Sequence, residues 1–113
     1  MKIKMIVTAL LLSLSITAAA QLKTIAEAYE VALSDVRLPQ NEAGTIAFKT
    51  CSDCPYETKR VTAATIWEFN GQAMSLEKFR RNFAAVDRST EVPIQVLHHL
   101  ELNQVTKVWI LIP

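Results

Sequence analysis

The amino-acid sequence predicts an α+β fold, a small mainly antiparallel sheet with one helix packed on a face. Three observations carry this expectation: two alternating runs that meet at a cysteine-containing turn, one amphipathic stretch with a capping residue, and a closing pair of alternating runs. In chain order they read strand, strand, helix, strand, strand. A segment that suits either helix or strand comes before them.

The chain opens with Met1-Lys2-Ile3-Lys4, continues with an apolar run from Met5 to Ile16, and reaches Thr17-Ala18-Ala19-Ala20 before Gln21. A positive start, an apolar core shorter than the about 20 residues needed to span a bilayer, and small residues near a cut site are the parts of a secretory signal peptide. Cleavage is expected after Ala20, which makes residues 1–20 the signal and the mature protein periplasmic or secreted. No cysteine stands at the cut to carry a lipid, so no stable membrane anchor is expected after cleavage.

Setting aside Lys2 and Lys4 turns 12 Lys and Arg against 11 Asp and Glu into 10 against 11, a net charge of −1. Without a basic excess, nucleic acid and anionic lipid are not expected partners. The mature length suits one modest core.

Within residues 21–44, Leu22, Ile25, Ala26, Tyr29, Leu33 and Val36 fit one helical stripe, while Tyr29, Val31 and Leu33 also alternate as a strand would. The stripe favours a helix or a partly ordered arm. Leu38 to Gly44, punctuated by Pro39 and Gly44, reads as a loop.

From residue 45 to 113 the pattern is that of the α+β domain. Ile46 and Phe48 alternate with Ala47 and Lys49 up to Cys51-Ser52-Asp53-Cys54-Pro55, a run of turn formers. A second alternating run follows, with Val61, Ala63, Thr65 and Trp67 on one face, so two strands are expected to join through the cysteine turn. Asn70-Gly71 marks a tight turn. Ser75 reads as a helix N-cap with Glu77 in the first turn and Met74 placed to staple onto Phe79. Leu76, Phe79 and Phe83 form the buried stripe, and the helix is expected to end near Val86 to Arg88. A hairpin closes the chain: Val92, Ile94, Val96, His98, Leu100 and Leu102 on one face, a turn at Asn103-Gln104, then Val108, Ile110 and Ile112.

Cys51 and Cys54 are the only cysteines, and in an oxidising compartment a nearby pair is expected to close into a disulfide. A bridge over about four residues stabilises by only about 2 kcal/mol, so its natural role is to pin a turn. The Cys-x-x-Cys spacing also admits thiol–disulfide exchange by Cys51 and Cys54. In thioredoxin-like enzymes, however, the motif opens a helix whose N-terminus lowers the attacking thiol's pKa. Here Pro55 to Thr62 is charged and β-branched, with no apolar helical stripe, although Pro93 enters a later strand much as the thioredoxin proline does.

Metal binding is a further alternative, since thiolates and imidazoles suit zinc or copper(I). His98 and His99 are adjacent and point to opposite faces of a strand, so Cys51, Cys54 and His98 are the most that could gather. Lys78, Arg80, Arg81 and Arg88 could hold an anion, but beside Glu77 and Asp87 they read as a solvated helix face. Trp67 and Trp109 are expected in or at the edge of the core. Ser75, Asp87 and His98 form no recognised nucleophile motif.

The succession Gly44-Thr45-Ile46-Ala47-Phe48-Lys49-Thr50-Cys51-Ser52-Asp53-Cys54, then Val61 to Phe79, then the closing Val105-Thr106-Lys107-Val108-Trp109-Ile110, resembles small exported proteins of gram-negative bacteria. That resemblance covers roughly residues 28–112 and implies a periplasmic setting without assigning an activity or site residues. The residues together lead to a small exported protein, structural or protein-interacting and not catalytic, acting on an unidentified protein partner and needing no cofactor.

Overall fold

The computed structural model describes residues 25–113, and the expected signal peptide lies outside them. The fold is α+β, as expected: the described residues form a five-stranded and a three-stranded sheet with one helix. The strands are β1 (Ala26–Val31), β2 (Val36–Arg37), β3 (Thr45–Phe48), β4 (Glu57–Arg60), β5 (Ile66–Phe69), β6 (Gln72–Met74), β7 (Ile94–His99) and β8 (Gln104–Ile110), with helix α1 (Leu76–Ala84) between β6 and β7. The larger sheet runs β1-β7-β8-β5-β6 and the smaller β2-β3-β4. All pairs are antiparallel except β5 with β8.

Two expectations are corrected. Over the described part of residues 22–38, from Ile25 onward, the favoured helix or arm is instead β1, a short 3-10 turn at Leu33–Asp35, and β2. Strand wins because the larger sheet offers β7 as a ladder partner and buries Val31 beside Ile94, whereas an isolated helix of about 15 residues is marginal in water. The second correction concerns the strand after the cysteine turn. It is the charged Glu57–Arg60, paired with β3, and not the alternating run from Val61. That run is broken by a turn in which Thr65 N donates to the Thr62 carbonyl and Thr65 Oγ1 accepts from Thr62 N. Threonine side chains compete here for backbone groups that a ladder would use. Thr65 Oγ1 also donates to the Val105 carbonyl at 2.7 Å, tying this crossing between the sheets to β8.

The helix starts where its sequence signals place it. Ser75 is in extended conformation, and its Oγ accepts from Lys78 N at 3.2 Å. Leu76, Phe79 and Phe83 are buried and turn toward the sheet, with Phe79 packed against Trp67 and Phe69 at ring separations of 5.3 and 6.2 Å. Past the last turn, Val86 N donates to the Phe83 carbonyl at 3.1 Å, and Arg88, 4.0 Å over the Phe83 ring, adds a side-chain donor to the same carbonyl at the helix C-terminus.

Asn70 and Gly71 both have positive φ, 54° and 82°, as a two-residue hairpin turn requires between β5 and β6. In the closing hairpin the chain passes Leu100 to Asn103 as its turn, so Leu100 and Leu102 are exposed and do not extend the buried face. A bulge between Leu97 and His98 sets His98 opposite Val105 and Leu97 opposite Lys107, which inserts Thr106 as an extra residue in β8. The insertion flips the phase of alternation, and Val105 therefore shares the buried face with Val108 and Ile110.

One core joins everything. Helix α1 covers the β5 end of the larger sheet, and the smaller sheet covers the β1 end, where Tyr29 and Phe48 lie 5.1 Å apart. The other face of the larger sheet carries Ala28, Glu30, Leu97, Lys107, Trp109, Ile66 and Glu68, none of them buried.

Candidate functional site

The cysteines occupy the tip of the β3–β4 hairpin. Cys51 and Cys54 are joined, with Cα atoms 5.1 Å apart, and Cys54 N donates to the Cys51 carbonyl at 3.1 Å, so the bridge closes a single tight turn. Cys51 is exposed and Cys54 half-buried. The chain leaves the turn through Pro55 and Tyr56 into β4, and no helix follows to aim backbone N–H groups at a sulfur.

Around the base of this tip the fold gathers a cluster that sequence spacing did not signal. Tyr56 receives the Arg37 guanidinium at 4.3 Å and the Lys49 ammonium at 5.1 Å from its ring centroid. Lys49 also ties the hairpin to the 3-10 turn through its backbone N–H, which donates to the Asp35 carbonyl at 3.0 Å. Arg37 comes from β2 and Tyr56 from beyond the turn, so only the pairing of strands brings them together. Two cations flanking an aromatic ring hold the base of the loop with an attraction of about 0.5–1 kcal/mol each at such exposed sites.

His98 lies elsewhere, on the core face of β7, 4% exposed. Its Nε2 meets Asn103 Oδ1 at 3.1 Å, and its buried Nδ1 has no hydrogen-bond partner. His99 points to the other face and its Nδ1 accepts from Leu102 N at 3.2 Å. Among the described residues no group of three His, Cys, Asp or Glu side chains is placed to hold a metal ion. The fold therefore does not bring His98 to Cys51 and Cys54, whose sulfurs are bonded to each other.

The basic helix residues are mostly engaged within the molecule. Arg81 pairs with Glu77 at 3.4 Å, Arg80 donates to the Gln40 carbonyl at 3.5 Å, and Arg88 is held on Phe83. Arg80 and Glu77 line an open cleft of about 520 Å³ with Gln40, Asn41, Glu42 and Ser75, a surface of mixed charge. Asp87 accepts from Ser89 N and Ser89 Oγ, and these bonds hold its carboxyl below the usual aspartate range. Ser75, Asp87 and His98 thus have separate local partners and separate structural tasks. Trp67 is buried as expected, whereas Trp109 stands half-buried on the outer face of the larger sheet, with Lys107 5.0 Å over its ring and bonded to Glu68 at 3.4 Å.

Within β1, Tyr29 donates its hydroxyl to Glu27 Oε2 at 2.6 Å. That bond, with burial and the nearby carboxylates of Glu27 and Glu57, pushes the phenol up to about 12. Compared with protein-family models, with curated proteins and with solved structures, the chain matches none.

Proposed function

We propose that the chain is a small exported protein that works by binding and not by catalysis, with the Cys51–Cys54 bridge serving as a clip on the β3–β4 hairpin. The observation that carries this reading is the setting of the disulfide: a tight turn between two antiparallel strands, closed by the Cys54 N–H on the Cys51 carbonyl and followed by a strand. Thiol-exchange enzymes need one thiol made acidic, by a helix N-terminus or an adjacent cation. Here Arg37 and Lys49, at the base of the hairpin, stand over the Tyr56 ring. The closed bridge suits an oxidising compartment, and with the signal-like residues 1–20 it supports export and cleavage after Ala20.

A second reading, disulfide exchange, draws on the exposure of Cys51, the more exposed of the two cysteines. The reduction potential separates the two. Equilibration against glutathione with trapping of free thiols is expected to place Cys51–Cys54 below about −300 mV, the range of structural bridges. A value above about −200 mV, in the range of oxidising thiol enzymes, overturns the proposal. Export is checked by fractionating cells and weighing the protein intact: the periplasmic or secreted form is expected to begin at Gln21.

A further inference from the structure

We propose that β1 is a self-pairing edge, through which two copies of this chain join their larger sheets into one continuous antiparallel sheet. The ladder defines what the edge offers. Leu100 N donates to the Ile25 carbonyl at 2.9 Å, in register with the pairing of Ala26 to His99. Odd-numbered residues of this strand therefore bond to β7, and in an antiparallel ladder the alternate residues, Ala26, Ala28 and Glu30, turn their N–H and C=O groups away.

Among the described residues, no strand lies beyond β1. Sheet edges are ordinarily shortened, bulged, or marked with lysine or proline. The other edges here follow that rule: β6 has 3 residues, β2 has 2, and β4 carries Glu57, Lys59 and Arg60. β1 has 6 residues in unbroken register and neither lysine nor proline, and its charges are the two carboxylates of Glu27 and Glu30, which a second copy must seat.

The occupant is a second copy because the strand is complementary to itself. A two-fold axis through Ala28 sets Ala28 opposite Ala28 of the second copy, Ala26 opposite Glu30, and Glu27 opposite Tyr29. Each outward residue then finds a bonded partner, giving about six backbone hydrogen bonds. No two carboxylates face one another, and Glu27 meets a phenol of the type it already accepts from within its own chain. Axes through Glu27 or Glu30 would oppose like charges, which destabilises a strand pair.

This inference deepens the binding reading by naming a partner, yet it stands on a different surface from the disulfide. A monomer would leave the Cys51–Cys54 potential unchanged, and an oxidising potential would leave the edge unchanged.

The test is sedimentation equilibrium of the exported, purified chain from micromolar to millimolar concentration. The wild type is expected to form a concentration-dependent dimer. Ala28→Lys and Ala28→Glu, on the solvent-facing side of the sheet, should each weaken it about fivefold or more by placing like charges on the axis. An equimolar mixture of the two variants should regain the dimer. Circular dichroism of each variant checks that it has folded. A wild type that stays monomeric to millimolar concentration overturns the proposal, as does a dimer that either variant leaves unchanged or strengthens, since Ala28 then does not face itself.

Discussion

At the scale of single residues, the most unusual atom of the core is His98 Nδ1, a ring nitrogen shut away from water with no hydrogen-bond partner. An orphaned buried polar group carries a desolvation cost of about 1–3 kcal/mol, while the bond from Nε2 to Asn103 contributes about 1 kcal/mol. His98→Leu is therefore expected to leave stability unchanged or raise it by about 1 kcal/mol in urea unfolding, and a loss of 2 kcal/mol or more would show that Nδ1 has a partner. Tyr29 gives a pH dependence of definite sign. Its folded pKa is raised, so its contribution is complete below about pH 10 and is lost as pH rises through about 12. Urea midpoints measured at pH 9 and pH 11 are expected to fall more steeply in the wild type than in Tyr29→Phe. Asp87 acts in the opposite direction: its lowered pKa makes its contribution complete above the ordinary aspartate range and lost as pH falls through the folded value.

At the scale of elements, helix α1 rests on its Ser75 cap, and Ser75→Ala is expected to cost about 1 kcal/mol, read as a lower thermal midpoint with unchanged far-ultraviolet spectrum. Removing the disulfide by Cys51→Ala with Cys54→Ala should cost no more than about 2 kcal/mol, because the closed loop is so short. How much of each element could be read in advance follows from whether its signal is local. Ser75, the Asn70-Gly71 turn and the 76-79-83 stripe are local, and each sits where the sequence places it. β1 was ambiguous because Ala-Glu-Ala-Tyr-Glu-Val fits two periods and only β7 decides between them. β4 carries no such signal, because an edge strand of a small sheet, half exposed throughout, has no apolar face to announce it. Val105 fell outside the expected alternation because the bulge at Thr106 has no sequence signature of its own.

For the molecule as a whole, the order of patterns was enough for the fold class, since two hairpins flanking one amphipathic helix leave few ways to bury their apolar sides. The candidate site was readable only in its covalent part. Cysteine spacing announced the bridge, but the Arg37–Tyr56–Lys49 stack and the open edge of β1 depend on which strands become neighbours. A domain this small rests on a few large side chains shared between layers. Phe79, fully buried and in ring contact with Trp67, Phe69 and Phe83, is the foremost of these. Phe79→Ala is expected to cost about 3–5 kcal/mol, a large part of the stability of a chain this size, and to leave it largely unfolded near its ordinary thermal midpoint.

The placement of β1 beside β7 also governs the order in which this chain can become whole. Ala26 must wait for His99, and the central pair of β5 with β8 joins Ile66 to Lys107. Four pairs of consecutive strands, β2–β3, β3–β4, β5–β6 and β7–β8, can close from neighbouring sequence, but the larger sheet assembles only when distant segments meet, which slows folding. A chain made from its amino terminus onward therefore presents β1 first and leaves it without a ladder partner until β7, more than sixty residues later, has followed. Throughout that interval both sides of the strand are open, so the segment most suited to joining a second copy is also the one most prone to premature association.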